Sequence, residues 1–348
     1  MSVGIALWMM GCMHHVELEV TKPADVTIPG DLKRLAVFNR GTTQSSDAVM
    51  SVFLTEHTKL KQPRFDIREP SAADSAYQKM NIALGQDLES RVIVSLCQSL
   101  EVDALVALEG ADVNGEWDIT TFTETETTTE TVTKDGKTET QEVSREVTRY
   151  RARYAIDARA DWVFYTCKGT ILDKKTVRIQ DRWSGEGDSR IEAKADAGDT
   201  DSIKEDIHHI LGRSYVQRIS PYEVDVVRSL YRGRPLKSGN IAFDANQFEA
   251  AQQAFQKAAK SSTGVPKGKA LHNLAIAEEA AGDIQAAFEH AQRAARLTDK
   301  NQSKTLKRTL RKRLSEQVDI ETQLGEDSNV PDVNTEGADK KASEPEKK

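Results

Sequence analysis

The sequence predicts two folded parts. The first is an α+β or α/β N-terminal domain, a mixed sheet with helices and a long polar β-hairpin. The second is a C-terminal all-α domain of helical repeats. Three observations predict this. Apolar runs of strand length alternate with helical periodicity before residue 110. A Thr/Glu-rich stretch at 119–149 has Asp135-Gly136 near its middle. An Ala-rich stretch from Gln247 to Leu297 repeats its own pattern of small and bulky residues. The chain has 348 residues, enough for more than one domain. Its 38% hydrophobic content implies that some stretches lie outside any core. A net charge of −7 argues against a protein that works by neutralising phosphates, so no nucleic-acid partner is expected.

Arg34–Asn39 is a short apolar run bounded by polar residues and reads as a buried strand. Ser46 or Asp47 is placed to cap a helix running from Ala48 through Leu60. A helix over 87–100 sets Leu88, Val92, Val94, Leu96 and Leu100 mostly on one side, and Val102–Leu108 reads as a second buried strand. The order β, α, α, β suggests helices covering a sheet. The α/β domain is expected over 34–222.

Threonine favours strands, and Asp-Gly is a strong hairpin turn. The flanks Phe122–Thr133 and Thr138–Thr148 are therefore expected to pair as a polar ribbon, with disorder as the alternative. From Tyr150 the chain alternates again and continues as an antiparallel meander with a turn at Asp173–Lys175. A loop is expected over 185–200 and a helix over 201–219, ended by Pro221.

From Glu223 the chain reads as helical, giving a helical domain over 223–321. Aligning Ala251 with Ala287 gives a period of 36. Small Ala251, Ala258, Ala287 and Ala294 permit close helix approach, and bulky Phe248, Phe255, Ile284 and Phe288 fill the space between. This pattern resembles the tetratricopeptide repeat, whose period is about 34. Two repeats need a cap, which the helix expected from Ser303 supplies. In that family the first helix of each unit lines a groove that binds an extended peptide. The resemblance places Asn240, Phe243, His272, Asn273, Ile276, Glu279 and Lys307 in such a groove. Asn240 and Asn273 fall where peptide-clamping members carry asparagines, whose amides hold a backbone through paired donors and acceptors. An intramolecular scaffold is the alternative. The tail, 322–348, is charged and expected to be disordered.

Residues Val3 to Met10 are nearly all apolar, and Gly11 and Cys12 follow. This resembles a bacterial lipoprotein signal over 1–12, which implies lipidation of Cys12. A short apolar helix with an incidental cysteine is the alternative. Residues 13–33, broken by Pro23, Pro29 and Gly30, read as an extended tether. The order of parts is similar to that of uncharacterised bacterial lipoproteins with tetratricopeptide repeats. The segments that carry this are Leu35–Arg40, Val102–Val106, Tyr215–Pro221 and Asn273–Glu278. The first domain looks like the α/β modules of the CsgG and TolB N-terminal type. The resemblance implies a palmitate-bearing lipoprotein, anchored by its N-terminal lipid in the outer membrane and facing the periplasm. It implies a protein or peptide partner in the envelope and no catalytic activity.

No P-loop, no GxGxxG after a strand and no GxSxG is present, and no cofactor is expected. Adjacent His208 and His209 point in different directions on a helix and cannot chelate one metal together. With Cys12 assigned to lipid, Cys97 and Cys167 remain. Two buried thiols are favoured, with a disulfide between them as the alternative. The expected function is a lipid-anchored envelope scaffold that binds proteins through its helical repeats, with no catalysis. The alternatives are an oligomeric export or assembly component of CsgG type, or a ligand-binding or enzymatic α/β domain.

Overall fold

The computed structural model describes residues 13–68, 70–79, 88–134 and 137–325. Cys12 and the apolar stretch before it lie outside the described residues, as do the Asp135-Gly136 pair and the tail beyond Gly325. The chain divides into two compact units. One is residues 25–220; the other joins the N-terminal residues up to Ala24 with residues from Pro221 onward.

Residues 25–220 hold a mixed five-stranded sheet. Its strands are β2 (Arg34–Asn39), β3 (Asp66–Ile67), β4 (Ala104–Lys134), β5 (Lys137–Thr166) and β6 (Thr170–Gly187), in the order β3-β2-β4-β5-β6. β2 runs parallel to β3 and β4, whereas β4, β5 and β6 form an antiparallel meander. Five helices accompany it: α1 (Gln44–Thr58), α2 (Pro70–Lys79), α3 (Ser90–Leu100), α4 (Arg190–Ala197) and α5 (Thr200–Ile219).

The apolar runs are buried on both faces, which is why they do not alternate. Leu35, Val37, Val106, Trp162 and Phe164 pack with Val49 and Phe53 of α1 and Ile207, Leu211 and Tyr215 of α5. Their sequence neighbours Ala36, Phe38, Leu105, Val163 and Tyr165 pack with Tyr77 of α2 and Ile93 and Leu96 of α3. Trp162 stacks on Tyr215 at 4.7 Å. Gly212 lets α5 lie directly on α1, since a Cβ there would sit 2.7 Å from the Val49 carbonyl oxygen.

Several sequence expectations shift locally. α1 begins at Gln44 and not at Ala48; its cap is Thr43, whose Oγ1 accepts from the Ser46 N–H at 3.0 Å and donates to the Ala111 carbonyl at 2.6 Å. The meander turn is not at Asp173–Lys175, because β6 runs through those residues. It lies at 167–169, where Gly169 takes the left-handed conformation with φ 82°. The expected loop over 185–200 contains α4, which approaches the sheet closely over Gly185.

The other unit contains β1 (Met13–Lys22), β7 (Tyr222–Tyr231), a single 3-10 turn at Arg234–Leu236, and five helices. These are α6 (Lys237–Asp244), α7 (Phe248–Lys260), α8 (Gly264–Ala280), α9 (Ile284–Thr298) and α10 (Asn301–Leu324). β1 pairs antiparallel with β7, from Met13 opposite Tyr231 to Lys22 opposite Tyr222. Residues 13–22 are therefore not a tether. Val16, Leu18 and Val20 alternate with His15, Glu17 and Glu19, and this apolar face joins the core of the helices. Nor is the chain helical from Glu223, because that segment is the partner strand. The boundary expected after residue 222 moves to Pro221, and residues 322–324, expected in the tail, belong to α10, with Gln323 buried.

Candidate interaction site

The helical groove is filled by the chain itself. Asn273, in the middle of α8, accepts from the Tyr231 N–H at 2.8 Å. Its Nδ2 donates to the Tyr231 carbonyl at 2.9 Å and to Asn240 Oδ1 at 3.1 Å. Asn240 Nδ2 donates to the same carbonyl at 3.2 Å. The two asparagines thus hold an extended backbone. That backbone is the end of β7.

The neighbouring candidates serve the same strand. His272 Nε2 lies 2.9 Å from the Ser229 carbonyl, which can only accept, so Nε2 carries the proton. Its Nδ1 then accepts from Ser303 Oγ at 3.1 Å. Burial pushes the His272 imidazole down to about 4, opposed by its bond to Ser229. Glu279, whose side chain is 0% exposed, binds Arg228 of β7 through two bonds of 2.7 and 2.8 Å. Phe243 and Ile276 are buried in the core under the strands, and Ile276 and His272 also border a cleft of about 320 Å³ between β7 and α10. Lys307 is half-buried on α10 and makes none of these bonds.

The far end of β1 is held in a matching way. Gln323 of α10 accepts from the Ala24 N–H at 2.9 Å and donates to the Ala24 carbonyl at 3.1 Å. Glu316 binds the Lys22 ammonium at 2.8 Å, and Arg313 donates to the Thr21 carbonyl. Sequence reasoning missed Tyr231, Arg228, Gln323 and Glu316. The alternation of Val16, Leu18 and Val20 was the available signal, and the prolines that follow masked it.

The polar ribbon has no such cover. Beyond a register shift at Glu109, β4 and β5 pair continuously from Gly110 opposite Asp161 to Lys134 opposite Lys137. β6 stops at Gly187, opposite Tyr150. Beyond that point each strand has one partner, so both outer edges of 122–134 and 137–149 offer backbone groups to solvent. Its two faces differ. Thr121, Thr123, Thr125, Thr127, Thr129, Thr131 and Thr133 line one face of β4. The other face carries Phe122, Val143 and Val147 among ion pairs of Arg149 with Glu126 and Asp188 and of Arg145 with Glu130. Nearer the meander, a polar concavity of about 880 Å³ is lined by Asn114, Glu116, Asp157, Gln180 and Arg182.

Cys97 and Cys167, 70 positions apart in sequence, are joined in a disulfide between α3 and the end of β5. The favoured expectation of two thiols is therefore corrected. Packing α3 across β5 brings the Cα atoms to 5.7 Å, within bonding reach. Cys12 lies outside the described residues. His209 bonds to Glu56 at 3.2 Å, and no group of three His, Cys, Asp or Glu side chains is gathered for a metal among the described residues. The buried Arg40 guanidinium donates to the Tyr77 hydroxyl at 3.0 Å and pairs with Glu109, which ties β2 to α2 and β4.

Residues 61–231 match the model of a family described as a domain of unknown function (DUF8603). Residues 237–316 match a second, also a domain of unknown function (DUF6340). The first span runs from just before β3 to the end of β7, and the second covers α6 into α10. No curated protein and no solved structure matches the chain.

Proposed function

We propose that this chain is a lipid-anchored cell-envelope protein, held at the outer membrane through Cys12 and acting as a protein-interaction scaffold, not as an enzyme. The Cys97–Cys167 disulfide carries this reading, because such bonds persist in oxidising compartments such as the periplasm and are rare in the cytosol. The apolar stretch before Gly11 and Cys12 supplies the anchor signal. The helix pairs α6–α7 and α8–α9, capped by α10, act as tetratricopeptide-like repeats. They spend their groove on β1 and β7, so a protein partner in the envelope meets the ribbon at 119–149. Its open edges suit strand addition, in which main-chain bonds give affinity and alternate side chains give selectivity.

Labelled palmitate tests the anchor: incorporation is expected in the wild type and lost in Cys12→Ser, and incorporation that survives the substitution contradicts it. A photo-crosslinker at Thr127 or Thr129 tests the ribbon in intact envelope. A crosslinked partner is expected there and not from a probe at Arg308 on α10; the reverse pattern contradicts the assignment. The open edges also support a second reading, an oligomeric export or assembly component. Size-exclusion chromatography of the Cys12→Ser protein decides between them, since a strict monomer contradicts that alternative.

A further inference from the structure

A cleft of about 320 Å³ opens where β1 begins and β7 ends. His14, Arg232, Arg234, Lys237, Ile241 and Asp244 line it. Arg232, Arg234 and Lys237 are exposed, and none has a carboxylate partner among the described residues. The one acid, Asp244, is engaged by His14 Nε2 at 2.6 Å, and Arg232 lies 3.4 Å from the other nitrogen of that ring. The cleft therefore presents three cations without a carboxylate partner, beside one carboxylate that is hydrogen-bonded to His14. Ile241 stands beside them with 59% of its surface exposed, an apolar side chain at the rim of a cationic cleft. Cations next to an exposed aliphatic group suit a membrane surface, where headgroup and acyl chain meet.

The register adds the second observation. Met13 lies opposite Tyr231, so Arg232 is next to the chain position that follows Cys12. We propose that the cleft binds the phosphate of an anionic phospholipid headgroup in the membrane that holds the anchor. Arg232 and Arg234 offer planar, forked donors that fit a phosphate, and Lys237 adds a point charge. The site would select the lipid around the anchor and fix how this unit faces the membrane. The direction of approach rests on the proposed lipidation of Cys12; binding by the cleft does not.

The test uses the Cys12→Ser protein, so a failed anchor and a failed cleft give separate results. Co-sedimentation is measured with vesicles of phosphatidylethanolamine and phosphatidylcholine, with and without phosphatidylglycerol. Binding is expected only with phosphatidylglycerol. It should fall about tenfold or more in Arg232→Ala/Arg234→Ala/Lys237→Ala, whose exposed positions leave the fold intact by circular dichroism. The charge-matched Arg308→Ala/Arg311→Ala/Lys312→Ala on α10 should stay within about twofold of wild type, because screening confines the effect to charges near the surface. Unchanged binding by the first variant overturns the proposal. Equal loss in both variants also overturns it, since that is diffuse attraction. Calorimetric binding of inorganic phosphate without any vesicle preference overturns the lipid as the source.

Discussion

Asn273 holds both backbone groups of Tyr231, accepting from its N–H at 2.8 Å and donating to its carbonyl at 2.9 Å. Gln323 does the same for Ala24 at the other end of the β1–β7 pair. A two-stranded ribbon alone is marginal in water. Here helices of the same unit supply what further strands would supply: an apolar floor under Val16, Leu18 and Val20, and amides for buried backbone groups.

Asn273→Ala removes the partner of the buried Tyr231 N–H and one partner of its carbonyl. The loss is expected to be about 2–3 kcal/mol. Asn273→Asp should cost more, because it keeps the acceptor but places a carboxylate beside the Asn240 and Tyr231 oxygens. Urea unfolding followed by far-UV circular dichroism checks both. A variant as stable as wild type refutes the clamp.

His272 gives a pH dependence with a defined sign. Its folded-state value of about 4 lies below the unfolded value of about 6.5. The unfolded chain therefore binds more protons between these values. The contribution is complete above about pH 6.5, is lost as pH falls toward 4, and totals about 3 kcal/mol. His57 and His208 are also pushed down by burial, so the difference between wild type and His272→Gln is the quantity to measure. That difference should change across this window; a constant difference counts against the buried neutral imidazole.

The cores of both units were legible because their signals are local. Arg34–Asn39 and the Ala251/Ala287 repeat announce a buried strand and close-packed helices without knowledge of their partners. The ribbon was legible from Thr and Asp-Gly. The β1–β7 pair was not, because its strands are some 200 residues apart in sequence and pairing at that distance leaves no local trace. The amides at 240 and 273 hold the backbone of β7, a ligand that was invisible in the sequence for the same reason. Pro23 and Pro29 looked like marks of a tether, whereas they stand just beyond the last residue of the strand, Lys22.

The disulfide closes a long loop, because Cys97 and Cys167 are 70 positions apart in sequence. Its removal by Cys97→Ala/Cys167→Ala should destabilise residues 25–220 by about 2–4 kcal/mol. Three of the four tryptophans, Trp117, Trp162 and Trp183, lie in that unit, so tryptophan fluorescence during urea unfolding reads mainly this unit. Alkylation of the unreduced protein should leave both cysteines unlabelled; free labelling of both contradicts the bond.

Gly212→Ala should cost about 1–3 kcal/mol, because its Cβ would stand 2.7 Å from the Val49 oxygen and 2.9 Å from the Phe53 nitrogen, both backbone atoms of α1. At Gly110 a Cβ meets nothing within 4 Å, so Gly110→Ala should stay within about 0.5 kcal/mol of wild type. Equal effects in thermal unfolding would show that α1 and α5 do not approach this closely.

Hydrogen exchange of the Cys12→Ser protein, read by mass spectrometry over residues 13–22 and 222–231, tests most directly that the helices hold their own strands. The structure predicts protection of both segments comparable to that of α8, and far slower exchange than in the ribbon around Thr127. Residues 13–22 exchanging as fast as a free chain, with α8 still protected, would contradict it.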